Sequence, residues 1–122
     1  MSPRLDVRVR ILHDNDIAMG PGKADLLDAI AATGSISAAA RSMNMSYRRA
    51  WLLVEVMNRH FRAPLVRTAA GGHQGGGASV TEAGHALLAQ YRAMQQAAEA
   101  AAQGHLDAMA ALLRTDCGEE HQ

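Results

Sequence analysis

The chain contains one cysteine, few aromatic residues and no long apolar run. Because Cys117 has no partner within the chain, no intrachain disulfide can form, and nothing favours an oxidising compartment. No stretch approaches the roughly 20 apolar residues of a membrane span. Residues 1–12 alternate charged with apolar side chains, whereas a signal peptide needs an unbroken apolar run of about 7–15 residues. We therefore expect a cytoplasmic protein that is not exported and has no membrane partner.

The sequence also lacks the sets of side chains that carry enzyme chemistry. No Cys-His or Ser-His-Asp set is recognisable, and no paired-carboxylate or zinc-hydrolase spacing is present. The six histidines are scattered along the chain. Cys117 and His121 offer two ligands per chain, whereas a structural zinc site usually needs about four. We expect no catalytic residue, no cofactor and no metal site, with a metal-responsive regulator that uses the tail as an alternative.

The charge of the chain is distributed unevenly. The net charge is zero, but residues 1–68 carry ten basic and six acidic side chains, and residues 69–122 carry two and six. Within residues 41–67 there are six arginines and one acid, Glu55. Phosphate binding depends on such local patches more than on the total charge. The charge pattern therefore favours a nucleic-acid partner.

Apolar periodicity predicts one strand and three helices in the first half of the chain. Residues 5–12 alternate at period two, which is typical of a strand. A first helix is expected up to Thr33, and Ser35 is a suitable N-cap for a second helix. The second helix should end at Asn44, because asparagine tolerates the left-handed conformation of a sharp turn. Ser46 then caps a third helix that extends to about Phe61.

The third helix separates into an apolar face and a basic face. An ordinary amphipathic surface helix has the same pattern, so the interpretation depends on the neighbouring elements. The inward residues are Ala50, Val54, Met57 and Phe61, and the outward residues are Arg48, Glu55, Arg59 and Arg62.

Glycine-rich residues 71–77 lie between two short predicted strands, 65–68 and 78–80, and so predict a β-hairpin. The sequence Gly-Lys-Ser/Thr does not follow the glycines, which argues against a nucleotide-hydrolase phosphate loop. A disordered linker is the other alternative for residues 71–77.

Thr81 and Glu82 open the last helix, in which apolar residues recur at spacings of four and three. This spacing predicts a dimer contact, and packing against the domain core is the alternative for Leu87 and Tyr91. Gly104 weakens the helix, so we expect a second helical segment after it. The residues of the predicted dimer contact are Leu87, Tyr91, Met94, Ala98 and Ala101.

The order of these elements predicts a mainly α fold with a small β-hairpin wing, namely a winged helix-turn-helix followed by a long C-terminal helix. The expected domains are a DNA-binding winged helix-turn-helix over residues 1–82, a dimerisation helix or helices over 83–114, and a disordered tail over 115–122. The third helix would enter the major groove of double-stranded DNA, with its first turn closest to the base edges. Arginine suits this position because its planar fork can bond guanine at two atoms.

The expected function is that of a homodimeric transcription regulator that reads an operator. A nucleoid-type protein that binds DNA without sequence preference is the alternative. We expect contacts to DNA from Ser35, Ser37, Ser46, Tyr47, Arg48, Arg49, Arg59, Arg67, Gly72, His73, Gln74 and Gly75.

Three motifs occur together: Gly-Ser-Ile-Ser at 34–37, Ser-Tyr-x-x-Ala-Trp at 46–51, and the glycine-rich wing followed by Thr-Glu-Ala-Gly at 81–84. Through them, residues 5–100 resemble the N-terminal DNA-binding domain of ModE-type molybdate-responsive regulators, which is related to the LysR-type domain. The resemblance implies that the helix from Tyr47 is the recognition helix, that residues 71–77 are the wing, and that the last helix contributes to a dimer.

Two departures from this family affect the expected function. The chain ends before an oxyanion-binding domain could begin, so we do not expect it to sense molybdate, and any effector is unknown. In the wing, His73 and Gln74 stand where the family often has a lysine. A permanent positive charge is thereby replaced by a titratable one.

Overall fold

The computed structural model describes residues 2–69 and 77–114. Three helices, a short antiparallel hairpin and a long helix form the winged helix-turn-helix that the sequence predicts, and a further antiparallel hairpin precedes them. The elements are β1 (Ile11–His13), β2 (Asp16–Met19), α1 (Pro21–Thr33), α2 (Ile36–Ser42), α3 (Tyr47–His60), β3 (Val66–Thr68), β4 (Ala78–Val80) and α4 (Glu82–Ala110).

The strand predicted over residues 5–12 is wrong in its extent, because β1 begins only at Ile11. The alternation itself is present, since Leu5, Val7 and Val9 are half-buried and the residues between them are exposed. The carbonyl oxygen of Val9 accepts a hydrogen bond from the hydroxyl of Tyr91, and that of Val7 accepts one from the amide of Gln95. Side chains of α4 thus hold residues 5–9 as an extended segment. Alternation at period two is the same in such a segment and in a strand paired with another strand, so the sequence pattern cannot distinguish the two.

The four polar residues after the predicted strand form a hairpin turn that the sequence analysis missed. Asp14 and Asn15 have φ values of 51° and 66°, and His13 pairs with Asp16 across them. A two-residue turn with both φ values positive matches the twist of a hairpin. The chain therefore returns as β2, which places Ala18 and Met19 in the core.

The core lies between α1, α2, α3, the second hairpin and the start of α4. At the end of α1, Gly34 has a φ of 73° and its N–H donates to the carbonyl oxygen of Ile30. This left-handed cap suits glycine, and it allows the chain to turn directly into α2. The largest fully buried side chains are Tyr91, Met19, Leu26, Leu27, Ile30, Met57, Leu65 and Val54.

Helix α4 is continuous over 29 residues, so the predicted interruption at Gly104 is wrong. A helical glycine costs about 1 kcal/mol relative to alanine, which is too little to break a long helix. The start of α4 packs closely on the second hairpin, because Gly84 lies against the carbonyl group of Leu65 and the side chain of Val80. Over the described residues, no helix combines the length and hydropathy needed to cross a membrane.

Candidate nucleic-acid interface

The turn between α2 and α3 is built as the sequence predicts. Asn44 has a φ of 56°, and its N–H donates to the carbonyl oxygen of Arg41 at 3.2 Å. The N–H of Met45 donates to the carbonyl oxygen of Ala40 at 3.0 Å. These bonds close a turn of four residues, 43–46, and set the direction in which α3 leaves it.

Serine hydroxyls cap both helices of this unit. The Ser35 hydroxyl accepts a hydrogen bond from the N–H of Ala38, and the Ser46 hydroxyl accepts one from the N–H of Arg49, each at 3.1 Å. The two caps predicted from sequence are therefore confirmed. A capping hydroxyl keeps its own O–H, so both serines can still donate to a phosphate oxygen. Ser37, in the first turn of α2, accepts a hydrogen bond from Arg41 at 3.0 Å.

The first turn of α3 presents Tyr47, Arg48 and Arg49 to solvent. Tyr47 is 54% exposed, and its ring meets the Trp51 ring edge to face, with the ring centres 6.3 Å apart. Trp51 in turn packs against the core. Tyr47 thus has one side supported by the domain and the other available to a ligand.

The arginines of α3 fall into two groups. Arg48 and Arg49 form no ion pair with any described residue, whereas Arg59 lies 3.5 Å from the carboxylate of Asp16. Arg59 is also about 16 Å further along the helix axis than Arg48, at a rise of about 1.5 Å per residue. Arg62 is exposed just after the helix ends. The strongest uncompensated charge of α3 is therefore at its N-terminal end.

Beside this end lies a basic cleft that the sequence analysis missed. It has a volume of about 270 Å³ and is lined by Arg8, Arg10, Lys23 and Arg49, together with the start of α1. The cleft combines residues from three parts of the chain, so no local motif could indicate it. The sequence indicated this cleft only through the excess of basic over acidic residues in 1–68.

Lys23 is a half-buried cation in this cleft. Burial lowers the pKa of its ammonium group below the ordinary value, Asp16 opposes the shift, and the positive charge of Arg49 adds to it. A cation whose charged form is disfavoured gains from an anion nearby. The cleft is therefore suited to a phosphate group.

The base of the second hairpin lies next to the start of α2. The N–H of Ala78 donates to the carbonyl oxygen of Gly34 at 2.9 Å, and Arg67 is exposed on β3 opposite Ser79. Arg67 and Gly34, the residue before the Ser35 cap, line the same shallow depression. The predicted wing contacts Gly72, His73, Gln74 and Gly75 lie outside the described residues.

Asn58 connects this hairpin to α3, a role that the sequence analysis did not assign. Its side-chain oxygen accepts hydrogen bonds from the N–H groups of Leu65 and Val66, at 2.8 and 3.2 Å. Its side-chain nitrogen donates to the carbonyl oxygen of Val66 at 3.1 Å. The hairpin and α3 are thereby held as one unit.

The five residues of the predicted dimer contact differ in their surroundings. Tyr91 is 1% exposed and belongs to the core, and Leu87 packs against the core, which is the alternative that the sequence left open. Met94 and Ala101 are exposed, and Ala98 is half-buried. Arg92 secures the start of α4 through contacts to Asp25 at 3.1 Å and Asp28 at 2.6 Å.

A protein-family model matches residues 23–85, which include α1 from Lys23 onwards, the helix-turn-helix, the second hairpin and the start of α4. Its description is the bacterial regulatory helix-turn-helix protein, lysR family. The matched segment covers just over half of the chain and contains the first turn of α3.

Several curated proteins are similar to most of the chain. The molybdenum-pterin-binding protein MopB of Rhodobacter capsulatus is 47% identical over 85 residues, which are 70% of this chain and 32% of MopB. The molybdenum transport protein ModE of Azotobacter vinelandii is 40% identical over 88 residues, 70% of this chain and 33% of ModE. The DNA-binding transcriptional dual regulator ModE of Escherichia coli K12 is 40% identical over 76 residues, 62% of this chain and 29% of the regulator. The chain spans about a third of the length of these relatives.

Proposed function

We propose that this chain, which belongs to the bacterial regulatory helix-turn-helix proteins of the LysR family, binds a specific operator as a dimer and thereby controls transcription. The chain carries the DNA-binding domain of a transcription regulator, and its family consists of regulators and not of enzymes. Regulation of transcription by a bacterial protein takes place in the cytoplasm, where we place this chain.

The observation that carries the proposal is the first turn of α3. Tyr47, Arg48 and Arg49 are exposed there, and neither arginine is neutralised by an acid among the described residues. The major groove of B-DNA admits one α-helix, and residues at its N-terminal end come closest to the base edges. We assign base reading to Arg48 and Arg49, with Tyr47 beside them.

Other residues would fix the protein on the DNA backbone. Arg8, Arg10 and Lys23 line the basic cleft beside Arg49, and Arg67 lies at the base of the hairpin. Contacts to phosphates position a protein without reading sequence. Arg59 is further along α3 and shares its charge with Asp16, so we assign it at most a phosphate contact.

Dimerisation would use α4 from Met94 onwards. Met94, Ala98 and Ala101 follow spacings of four and three, and the exposed Met109 and, just beyond the helix, Leu112 add apolar surface. Small alanines allow two helices to approach closely, and a dimer places two recognition helices on successive half-sites. The proposed dimer contact is therefore shorter than the predicted segment 83–114, because the first turns of α4 pack against the domain core.

The proposed function does not include an effector. The names of two relatives refer to molybdenum-pterin binding and to molybdenum transport, but the matched residues make up only about a third of each of them. We therefore assign no effector to this chain.

The proposal is tested with duplexes enriched from a random-sequence library by the wild-type protein. Affinity for an enriched duplex and for a random duplex is measured at two salt concentrations, for wild type, Arg48→Ala, Arg49→Ala and, as control, Arg59→Ala. At least one first-turn variant should lose roughly 10–100-fold in affinity for the enriched duplex and relax one base position, as the loss of a base contact requires. Arg59→Ala should affect both duplexes equally.

Two outcomes would contradict the proposal. If the library yields no enriched sequence and wild type binds all duplexes equally, the protein is a non-specific DNA-binding protein. If both first-turn variants keep the wild-type specificity ratio, the assignment of the reading residues is wrong.

A further inference from the structure

Two histidines that are 47 positions apart in sequence face each other at the side of the domain. The Nδ1 atoms of His13 and His60 are 2.9 Å apart, and the ring planes make an angle of 78°. The histidines are scattered along the sequence, and only the fold brings this pair together. His13 ends β1, and His60 is the last residue of α3, so the tip of the first hairpin meets the C-terminal end of the recognition helix.

Acidic side chains complete this cluster. Asp14, in the hairpin turn, places a carboxylate oxygen 3.7 Å from Nδ1 of His13. Asp16 lies on the other side of His60, with its carboxylate oxygen 3.3 Å from Nε2. The side chain of His60 is only 4% exposed, whereas that of His13 is 55% exposed.

Asp16 determines which nitrogen of His60 is available. A carboxylate accepts hydrogen bonds, so it favours the tautomer of His60 that carries its proton on Nε2. The lone pair of Nδ1 then points towards His13. Histidines that bind metals commonly donate their other ring N–H to a carboxylate in this way, which fixes both the tautomer and the orientation of the ring. The same carboxylate oxygen of Asp16 also lies 3.5 Å from the guanidinium group of Arg59.

We propose that His13, Asp14 and His60 bind a divalent transition-metal ion of the Zn²⁺ type. One ligand atom from each of the three residues lies within 4.8 Å of the others. Tetrahedral zinc with Zn–N bonds of about 2.0–2.1 Å requires its two nitrogens to be about 3.3 Å apart. The rings therefore need to separate by only a few tenths of an ångström, which the exposed side chain of His13 allows.

The donor set also indicates which ions are excluded. Two imidazole nitrogens and one carboxylate suit Zn²⁺ and its neighbours in the transition series, whereas Mg²⁺ and Ca²⁺ prefer oxygen ligands. Three protein ligands leave the fourth tetrahedral position to water.

The position of the site indicates what the ion would do. His60 lies about 18 Å along α3 from Arg48, so the ion is remote from the base-reading turn. It would join the first hairpin to the end of the recognition helix. An ion that binds only the folded chain raises its melting temperature in a concentration-dependent way.

The test uses the full chain without an affinity tag, freed of metal with a chelator. Uptake of Zn²⁺ is measured by titration calorimetry, and Co²⁺ serves as a spectroscopic probe of tetrahedral nitrogen and oxygen coordination. The variants are His13→Ala and Asp14→Asn, both at exposed positions. His85→Ala, an exposed histidine on α4, is the matched control, and Cys117→Ser/His121→Ala removes the two candidate ligands of the tail.

We expect one Zn²⁺ per chain in wild type, in the His85 control and in the tail variant. Affinity should fall at least tenfold in His13→Ala and Asp14→Asn, and the zinc-dependent rise in melting temperature should disappear in His13→Ala. The proposal is overturned if wild type takes up no Zn²⁺, if His13→Ala binds as well as wild type, or if uptake is lost in the tail variant. None of these measurements involves DNA, so the result is independent of the proposed function.

Discussion

The hydroxyl group of Tyr91 donates a hydrogen bond of 2.7 Å to the carbonyl oxygen of Val9, 82 positions earlier in the chain. This bond attaches the extended N-terminal segment to α4, and Gln95 adds a second bond one turn later through Val7. The long helix is therefore anchored to the domain by its first half. The exposed apolar residues of α4 from Met94 onwards remain available for a partner.

Replacing Tyr91 with phenylalanine tests this anchor. The variant leaves the carbonyl group of the half-buried Val9 without its partner, so the free energy of unfolding should fall by about 1 kcal/mol. Burial raises the pKa of the Tyr91 hydroxyl, because the neutral form is favoured in the folded state. The stability that the Tyr91 hydroxyl contributes is therefore fully present below the ordinary pKa of 10.0, and it is lost as the pH rises through the pKa of the folded state. Urea unfolding of both proteins between neutral and strongly alkaline pH measures the difference, and an equal stability at pH 7 would contradict the anchor.

The two glycines of α4 should respond in opposite directions to alanine. At Gly84, a Cβ atom would overlap with the carbonyl oxygen of Leu65 and lie 2.6 Å from Cγ1 of Val80, so Gly84→Ala should destabilise the fold by about 1–3 kcal/mol. At Gly104, a Cβ atom would meet nothing within 4 Å, so Gly104→Ala should stabilise it by up to about 1 kcal/mol through helix propensity. Thermal unfolding of the pair is the measurement. Destabilisation by both substitutions would mean that the surroundings of Gly104 are misassigned.

Replacing Lys23 with methionine should change stability and DNA affinity in opposite directions. Its pKa is lowered mainly by burial, so the folded state disfavours the charged form and binds fewer protons than the unfolded state. The free energy of unfolding therefore rises as the pH increases towards 10.5, the ordinary pKa of lysine. At pH 7, Lys23→Met should be more stable than wild type. The same variant should bind every duplex more weakly, with the salt slope reduced by about one.

Arg114→Met is the control for Lys23→Met, because it also removes one positive charge but lies beyond the end of α4. It should leave the salt slope unchanged. Equal salt slopes in the two variants would exclude a phosphate contact of Lys23.

Truncation after Gln96 tests the dimer. The shortened chain keeps Leu88, Tyr91 and Gln95, which serve the domain, and loses the apolar surface from Ala98 onwards. We expect a folded monomer by light scattering and circular dichroism, with weaker binding to a two-half-site duplex. A shortened chain that is still dimeric would place the dimer contact elsewhere. Truncation before Ala83 would not be informative, because it also removes Tyr91 from the core.

The sequence by itself determined the helix-turn-helix. The caps at Ser35 and Ser46 bond N–H groups three residues away, and the left-handed turn at Asn44 is equally local. The candidate reading residues follow directly from this turn, because they occupy the first turn after a cap. Motifs whose residues lie within one or two turns of each other also identified the family.

Only the tertiary structure decided which distant residues meet. The alternation of residues 5–9 showed a half-buried extended segment, but its partners on α4 lie more than 80 positions away. The basic cleft and the pair of His13 and His60 likewise join separate parts of the chain. Local propensity and periodicity depend on neighbours within about one to four residues, whereas these contacts depend on how the helices and hairpins pack in three dimensions.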